Sequence, residues 1–185
     1  MIDRATAVTL IAAQNPHPGL VAHGRETEVV MRAMATRLGE DPELWGITGL
    51  LHDLDYPQTA ETPARHGLAL AELLPEGALP PEALHAIAAH NDEHTGVAPQ
   101  TPFDFALRAA ETVTGIISAA ALVRPDKMIG MKPKSIKKKM KDKAFAANVR
   151  RANILECDKA GVPLDEFLAL AIAAITDVAA ETGLA

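Results

Sequence analysis

Aromatic side chains are scarce in this chain: one Trp, one Tyr and four Phe, or 3% of residues. Its core must therefore be built from Ala, Leu, Ile, Val and Met, within an ordinary apolar share of 48%. That mixture favours helices, because Ala is the best helix former and strands prefer branched and aromatic side chains. Cysteine occurs once, at Cys157, which excludes an intramolecular disulfide. With no basic helix end or paired histidine beside it, Cys157 reads as a packed thiol rather than a nucleophile. There is no glycine-rich phosphate loop, which excludes a P-loop nucleotide hydrolase. The uncharged apolar stretch Thr112 to Val123 falls short of the roughly 20 residues that a bilayer crossing takes. Met1 to Gln14 lacks the basic start, apolar run and small-residue cleavage site of a signal peptide. A cytoplasmic protein without membrane contact is the expectation.

The 185 residues fit one domain of ordinary size, spanning 1–185. No repeat, low-complexity linker or alternating strand pattern interrupts it. Helix-start signals recur instead. Asp41-Pro42 and Thr62-Pro63 each place an N-cap before a proline at the first helical position. Thr101-Pro102-Phe103-Asp104 adds an acid three residues after its cap, as in a capping box. Pro80-Pro81-Glu82 opens another helix. The reading is an all-α, single-domain helical bundle, with helices near 3–14, 20–39, 42–53, 63–74, 81–91 and 102–123. A basic segment, 124–143, is followed by C-terminal helices near 151–160 and 163–182. Gly46 and Gly49 lie seven and four residues before Asp53 on one helix face, which predicts a close helix crossing there.

Charge is unevenly spread. The net charge is −6, yet Arg124 to Lys143 alone carries +7 and the remainder −13. Lys134, Lys137, Lys138, Lys139, Lys141 and Lys143 suit attraction of an anionic substrate or of nucleic-acid phosphates. No aromatics are interleaved among these lysines, which argues against stacking on single-stranded bases.

The chemistry concentrates around Leu50-Leu51-His52-Asp53-Leu54-Asp55. An adjacent His and Asp end an apolar helix, where burial without partners is costly. Imidazole nitrogens and carboxylate oxygens are both good metal ligands. His23 lies on the apolar stripe of Thr27, Val30, Met34 and Leu38. His66 shares a helical face with Leu70 and Leu73, and His90 one with Ala83, Ala86 and Ile87. Glu111 sits in a stretch from 105 to 123 whose only other charge is Arg108. One metal site satisfies these core-facing histidines and carboxylates at once. The competing explanations are hydrogen-bonded core histidines and a Glu111–Arg108 ion pair. His85 lies five residues from His90 and points elsewhere, His94 follows a loop-like Asn91-Asp92-Glu93, and His17 sits between two prolines as in an exposed loop.

These residues resemble the HD-domain superfamily of metal-dependent phosphohydrolases, with its H…HD…D signature on a helical bundle. The matching positions are His23 in Ala22-His23-Gly24-Arg25-Glu26, the pair in Gly49-Leu50-Leu51-His52-Asp53, and the carboxylate position at Glu111. The likeness to small bacterial HD proteins continues through Val30-Met31-Arg32-Ala33-Met34-Ala35, Ala89-His90-Asn91-Asp92 and Thr114-Gly115 to Lys134-Ser135-Ile136-Lys137-Lys138-Lys139. Glu111 stands where the family usually has Asp and is one methylene longer. The resemblance implies hydrolysis of a phosphate ester, a nucleotide or another small phosphorylated molecule. It implies a divalent transition metal (Mn, Fe, Co, Ni or Zn) held by His23, His52, Asp53 and Glu111. His66 and His90 match the extra ligands of two-metal members, in which Asp53 bridges the ions. In a one-metal site they would instead be acid or base beside Asp53. Substrate contacts are expected from Arg25, Lys134, Lys137 and Lys138. Competing functions are a di-iron oxygenase of the HD type and a non-catalytic nucleotide sensor. The expected assembly is a monomer or homodimer.

Overall fold

The computed structural model describes residues 1–185, and every regular element in it is helical. The α-helices in chain order are α1 (Arg4–Ala13), α2 (Pro18–Leu38), α3 (Pro42–Leu51), α4 (Tyr56–Thr59), α5 (Leu70–Leu73), α6 (Pro81–His90), α7 (Asp92–Thr95), α8 (Pro102–Leu122), α9 (Pro133–Lys141), α10 (Arg151–Leu155), α11 (Leu164–Asp177) and α12 (Ala179–Thr182). Single 3₁₀ turns occupy Pro63–Arg65 and Glu156–Asp158.

Two of the polar residues that read as helix starts, Asp41 and Thr101, act as such, whereas Thr62 makes no capping bond and precedes only a 3₁₀ turn. Asp41 accepts from the amides of Glu43 and Leu44, satisfying donors that the first turn of α3 leaves open. At α8, Thr101 accepts from the Asp104 amide while the Asp104 carboxylate accepts from the Thr101 amide, forming a complete capping box. Helix α2 stops at Gly39, whose φ of 77° is left-handed.

One apolar core of 39 residues runs from Ala7 to Leu184. It is centred on α8, which packs against α2, α6, α10 and α11. By length and composition α8 is apolar enough to cross a membrane, but here 67% of its most apolar window is buried inside the fold. Trp45 stacks on Phe103 at a centroid separation of 4.8 Å, joining α3 to α8.

Two features of the packing position the site. The first is the α2–α3 crossing. A Cβ on Gly49 would lie 3.0 Å from the Thr27 carbonyl oxygen and 2.9 Å from Met31 Cγ, and one on Gly24 would lie 3.1 Å from the Leu50 carbonyl oxygen. The two backbones can meet this closely only because neither glycine carries a side chain, and His23 and His52 are thereby brought to the same end of the crossing. The second is a broken helix. The predicted helix over 63–74 is instead a 3₁₀ turn, an irregular stretch and the short α5. The buried Asp55 carboxylate accepts from the amides of Gly67 (2.8 Å) and Leu70 (3.0 Å), donors that a continuous helix would spend on its own carbonyls. Gly67 has φ +87°, and a Cβ there would meet the Ile87 carbonyl oxygen at 2.9 Å. His66 therefore shares no helical face with Leu70 and Leu73.

Gly49→Ala should lower stability by about 2 kcal/mol, because Thr27 meets it with rigid backbone. At this chain length that is a Tm decrease of roughly 4–8 °C by calorimetry. An unchanged Tm would mean that the crossing relaxes freely.

Candidate metal centre

Four imidazoles and one carboxylate converge in a cleft of about 790 Å³. His23 comes from α2, His52 caps the C-terminus of α3, Asp53 follows it, His66 comes from the broken stretch and His90 ends α6. They form two groups that share Asp53: His23 and His52 with Asp53, and His66 and His90 with Asp53. Asp53 Oδ2 lies 3.6 Å from His23 Nε2 and 3.5 Å from His52 Nε2. Its Oδ1 lies 3.2 Å from His66 Nε2 and 3.7 Å from His90 Nε2.

Hydrogen bonds at the far side of each ring fix the tautomers. His52 Nδ1 donates to the Gly49 carbonyl (2.8 Å), and His90 Nδ1 donates to the Ile87 carbonyl. His66 Nδ1 donates to Asp55 Oδ1 (2.9 Å). Thr114 donates its hydroxyl proton to the Glu111 carbonyl (2.6 Å), so its oxygen accepts from His23 Nδ1 (2.8 Å). Each ring thus spends its Nδ1 proton on an outer partner and turns Nε2 inward, the arrangement of ligand histidines with their supporting shell.

The donor set fits a cation. His23 and His52 Nε2 are 3.1 Å apart, and His66 and His90 Nε2 are 3.0 Å apart. A hydrogen bond across either pair needs a second proton on one ring. Two nitrogens bound to one transition metal stand about 2.9–3.4 Å apart, given metal–nitrogen bonds of about 2.0–2.1 Å. Both separations lie in that range.

The electrostatics follow from the crowding. Burial and the neighbouring His52 hold His23 down at about 4, and burial with His52 holds His90 at about 3. Burial also disfavours the charged form of His66, but hydrogen bonds to Asp53 and Asp55 outweigh it and raise His66 to about 9. Burial pushes Asp53 upward, and the four surrounding histidines more than reverse this, leaving it well below the usual carboxylate range.

Glu111 lines the same cleft but joins neither three-ligand group. Its carboxylate accepts from the Thr112 hydroxyl, while burial raises its pKa to about 8. An Arg108 ion pair does not explain it. Arg108 is buried and bonded to Asp92, Glu156 and the Ala89 carbonyl.

The fold places the expected substrate contacts away from the lining of the cleft. Arg25 pairs with Glu28 (3.0 Å) and Glu181 (2.8 Å), part of a network in which buried Glu28 also binds Arg4 and Arg32. Lys134, Lys137 and Lys138 line a separate hollow with Lys141 and Asp165, and Lys137 pairs with Asp165 at 2.8 Å. A basic stretch reveals its charge in sequence but not the face on which it folds. His85 instead pairs with Asp104 at 3.2 Å. His94 is exposed, in α7 rather than a loop, and His17 is exposed at the cleft rim, where its ring accepts from the Gly19 amide. Cys157 is fully buried, and burial pushes its thiol up to about 12.

The model of the HD domain family matches residues 20–122, more than half of the chain and all the residues of this centre. The chain belongs to the HD domain family. HD domain proteins are typically metal-dependent phosphohydrolases, and the His/Asp groups here suit an HD metal site. Ribonuclease Y of Chlorobium luteolum (strain DSM 273 / BCRC 81028 / 2530) is 37% identical over 93 residues, covering 48% of this chain. The chain spans only 18% of that relative's length. No solved structure matches.

Thr114 and Asp55 are the supporting residues that sequence reasoning missed. Each left a signal: a hydroxyl three residues after Glu111 on an apolar helix, and an acid two residues after Asp53 in an apolar setting. Thr114→Val keeps the shape but removes the His23 acceptor. It should weaken binding of the added transition metal about 10–100-fold in a metal titration. Unchanged affinity would show that His23 is oriented by packing alone.

Proposed function

We propose that this HD domain protein hydrolyses a phosphate ester, a nucleotide or another small phosphorylated molecule, with divalent transition metal at the His/Asp centre. The observation that carries this reading is the Asp53 carboxylate, one oxygen facing each of two inward-turned histidine pairs. Bound metal would polarise the phosphoryl group and acidify a coordinated water. His23, His52, His66 and His90 would hold it through Nε2. Asp53 would join the two halves and orient the attacking water. With both nitrogens of His66 and His90 engaged, these rings serve better as ligands than as free acid or base. Glu111 would supply the α8 carboxylate of the family signature, its extra methylene extending its reach from the cleft wall.

The likeness of the HD region to a ribonuclease supports phosphate-ester chemistry. A small substrate is favoured because the lysines of α9 line a hollow apart from the metal centre.

Elemental mass spectrometry of the untagged protein, with turnover of p-nitrophenyl phosphate and bis(p-nitrophenyl) phosphate, tests this proposal. Bound Mn, Fe, Co, Ni or Zn and hydrolysis of at least one ester are expected. Asp53→Ala should lose both. Retained turnover with normal metal content in that variant would sink the role given to Asp53. Iron with oxygen-dependent turnover and no hydrolysis would replace the phosphohydrolase by an oxygenase. Replacing Lys137, Lys138 and Lys139 together by Ala should leave KM within about twofold, since exposed charges outside the cleft act weakly.

A further inference from the structure

The cleft has a second wall that the metal centre does not use. The segment 148–153, which leads from the loop after α9 into α10, contributes Asn148, Val149, Arg150 and Asn153 to its lining. It lies close over α8: a Cβ on Gly115 would be 3.1 Å from Val149 Cγ2. The preceding loop has no helix or strand and is held by the side chains of Asp142, which accepts from the Ala144 and Phe145 amides, and Arg151. Arg151 donates to the carbonyls of Asp142, Phe145, Ala146 and Val149. Such a rim is fixed by the fold and ready to present groups to a ligand.

Two of its side chains can donate to a ligand. Asn153 is 7% exposed, yet its only side-chain hydrogen bond is from Arg108 Nη2 to Oδ1 (3.3 Å). An amide oxygen accepts and an amide nitrogen donates, so the guanidinium fixes which way Asn153 faces. The amide NH₂ is left without a protein acceptor on a residue that lines the cleft. Arg150 is the only Lys or Arg among the cleft's lining residues. Its one carboxylate partner is Glu93, in a pair whose side chains are 44% and 60% exposed. Pairs that exposed are weakly held and easily exchanged for another anion.

On the reading of the site as a phosphohydrolase, we propose that Asn153 and Arg150 form the subsite that takes the non-bridging oxygens of the substrate's phosphoryl group, opposite the metal-ligand wall. Arg108 is a positioning residue, acting through Asn153. The Asn153 amide supplies a neutral, directed donor and Arg150 supplies charge. Together they explain how a cleft otherwise lined by histidines and carboxylates selects an anionic substrate. Glu93 competes with that substrate for Arg150.

The test is calorimetric titration of the metal-loaded protein with inorganic phosphate, with metal content measured on the same samples. Arg150→Ala and Asn153→Ala should each weaken phosphate binding about tenfold at unchanged metal content, as expected for loss of a charge-assisted contact. Glu93→Gln, an exposed change that leaves the core intact, should tighten it about threefold by freeing Arg150. If the wild type binds phosphate and Glu93→Gln and Arg150→Ala leave its affinity unchanged, the subsite is wrong while the phosphohydrolase reading stands. If the metal-loaded wild type binds no phosphate, both fall together.

Discussion

Asp53 can face two histidine pairs only because each ring is held from behind by an acceptor for its Nδ1 proton. Everything else about the centre depends on that outer layer. A carbonyl, a carboxylate or a hydroxyl settles the tautomer, and the tautomer settles that a lone pair points inward. Four inward Nε2 atoms crowded on one carboxylate are poorly satisfied by one another, which makes a cation the natural occupant. The helices matter to the chemistry mainly as carriers of these acceptors: the last turn of α3 carries the Gly49 carbonyl, α6 that of Ile87 and α8 the Thr114 hydroxyl.

Much of this was legible in the sequence. The all-helical fold followed from composition and from proline-marked helix starts, and α3, α6 and α8 begin at the prolines that mark them. The close crossing was visible in Gly46 and Gly49 ahead of Asp53. The stripe Thr27–Val30–Met34 turned His23 inward, and the His52-Asp53 pair stood out as polar residues ending an apolar run. Long-range partners were not legible. His66 was placed on a helical face that does not exist, because nothing local announces that Asp55 takes the amides of Gly67 and Leu70 from the helix. The placement of Arg25 and the α9 lysines away from the cleft lining was hidden for a related reason. A charge is visible in sequence, but whether it is already neutralised by a residue 156 positions away, as Arg25 is by Glu181, is a property of the fold.

The family match covers residues 20–122, yet the cleft is completed by residues beyond it. Asn148, Arg150 and Asn153 belong to the C-terminal part of the chain, which shares the apolar core through Ile154, Cys157 and Phe167. The His/Asp ligand set and these further lining residues are thus carried by different segments. Metal chemistry and substrate choice can then vary separately within one fold, as when a rigid scaffold holds the reactive groups and loops supply the specificity.

The two halves of the centre also differ in stiffness. The His23–His52 half rests on two helices whose backbones touch at Gly24 and Gly49, so its rings can separate only if the core opens. The His66–His90 half leans on a turn, and one Asp55 carboxylate holds both the His66 ring and the amides of that turn. Swinging His66 outward would release its chain segment at the same time. Two ions in this centre would therefore be unequal tenants: one lodged in a rigid socket, the other on a hinged seat whose exchange is coupled to local unfolding.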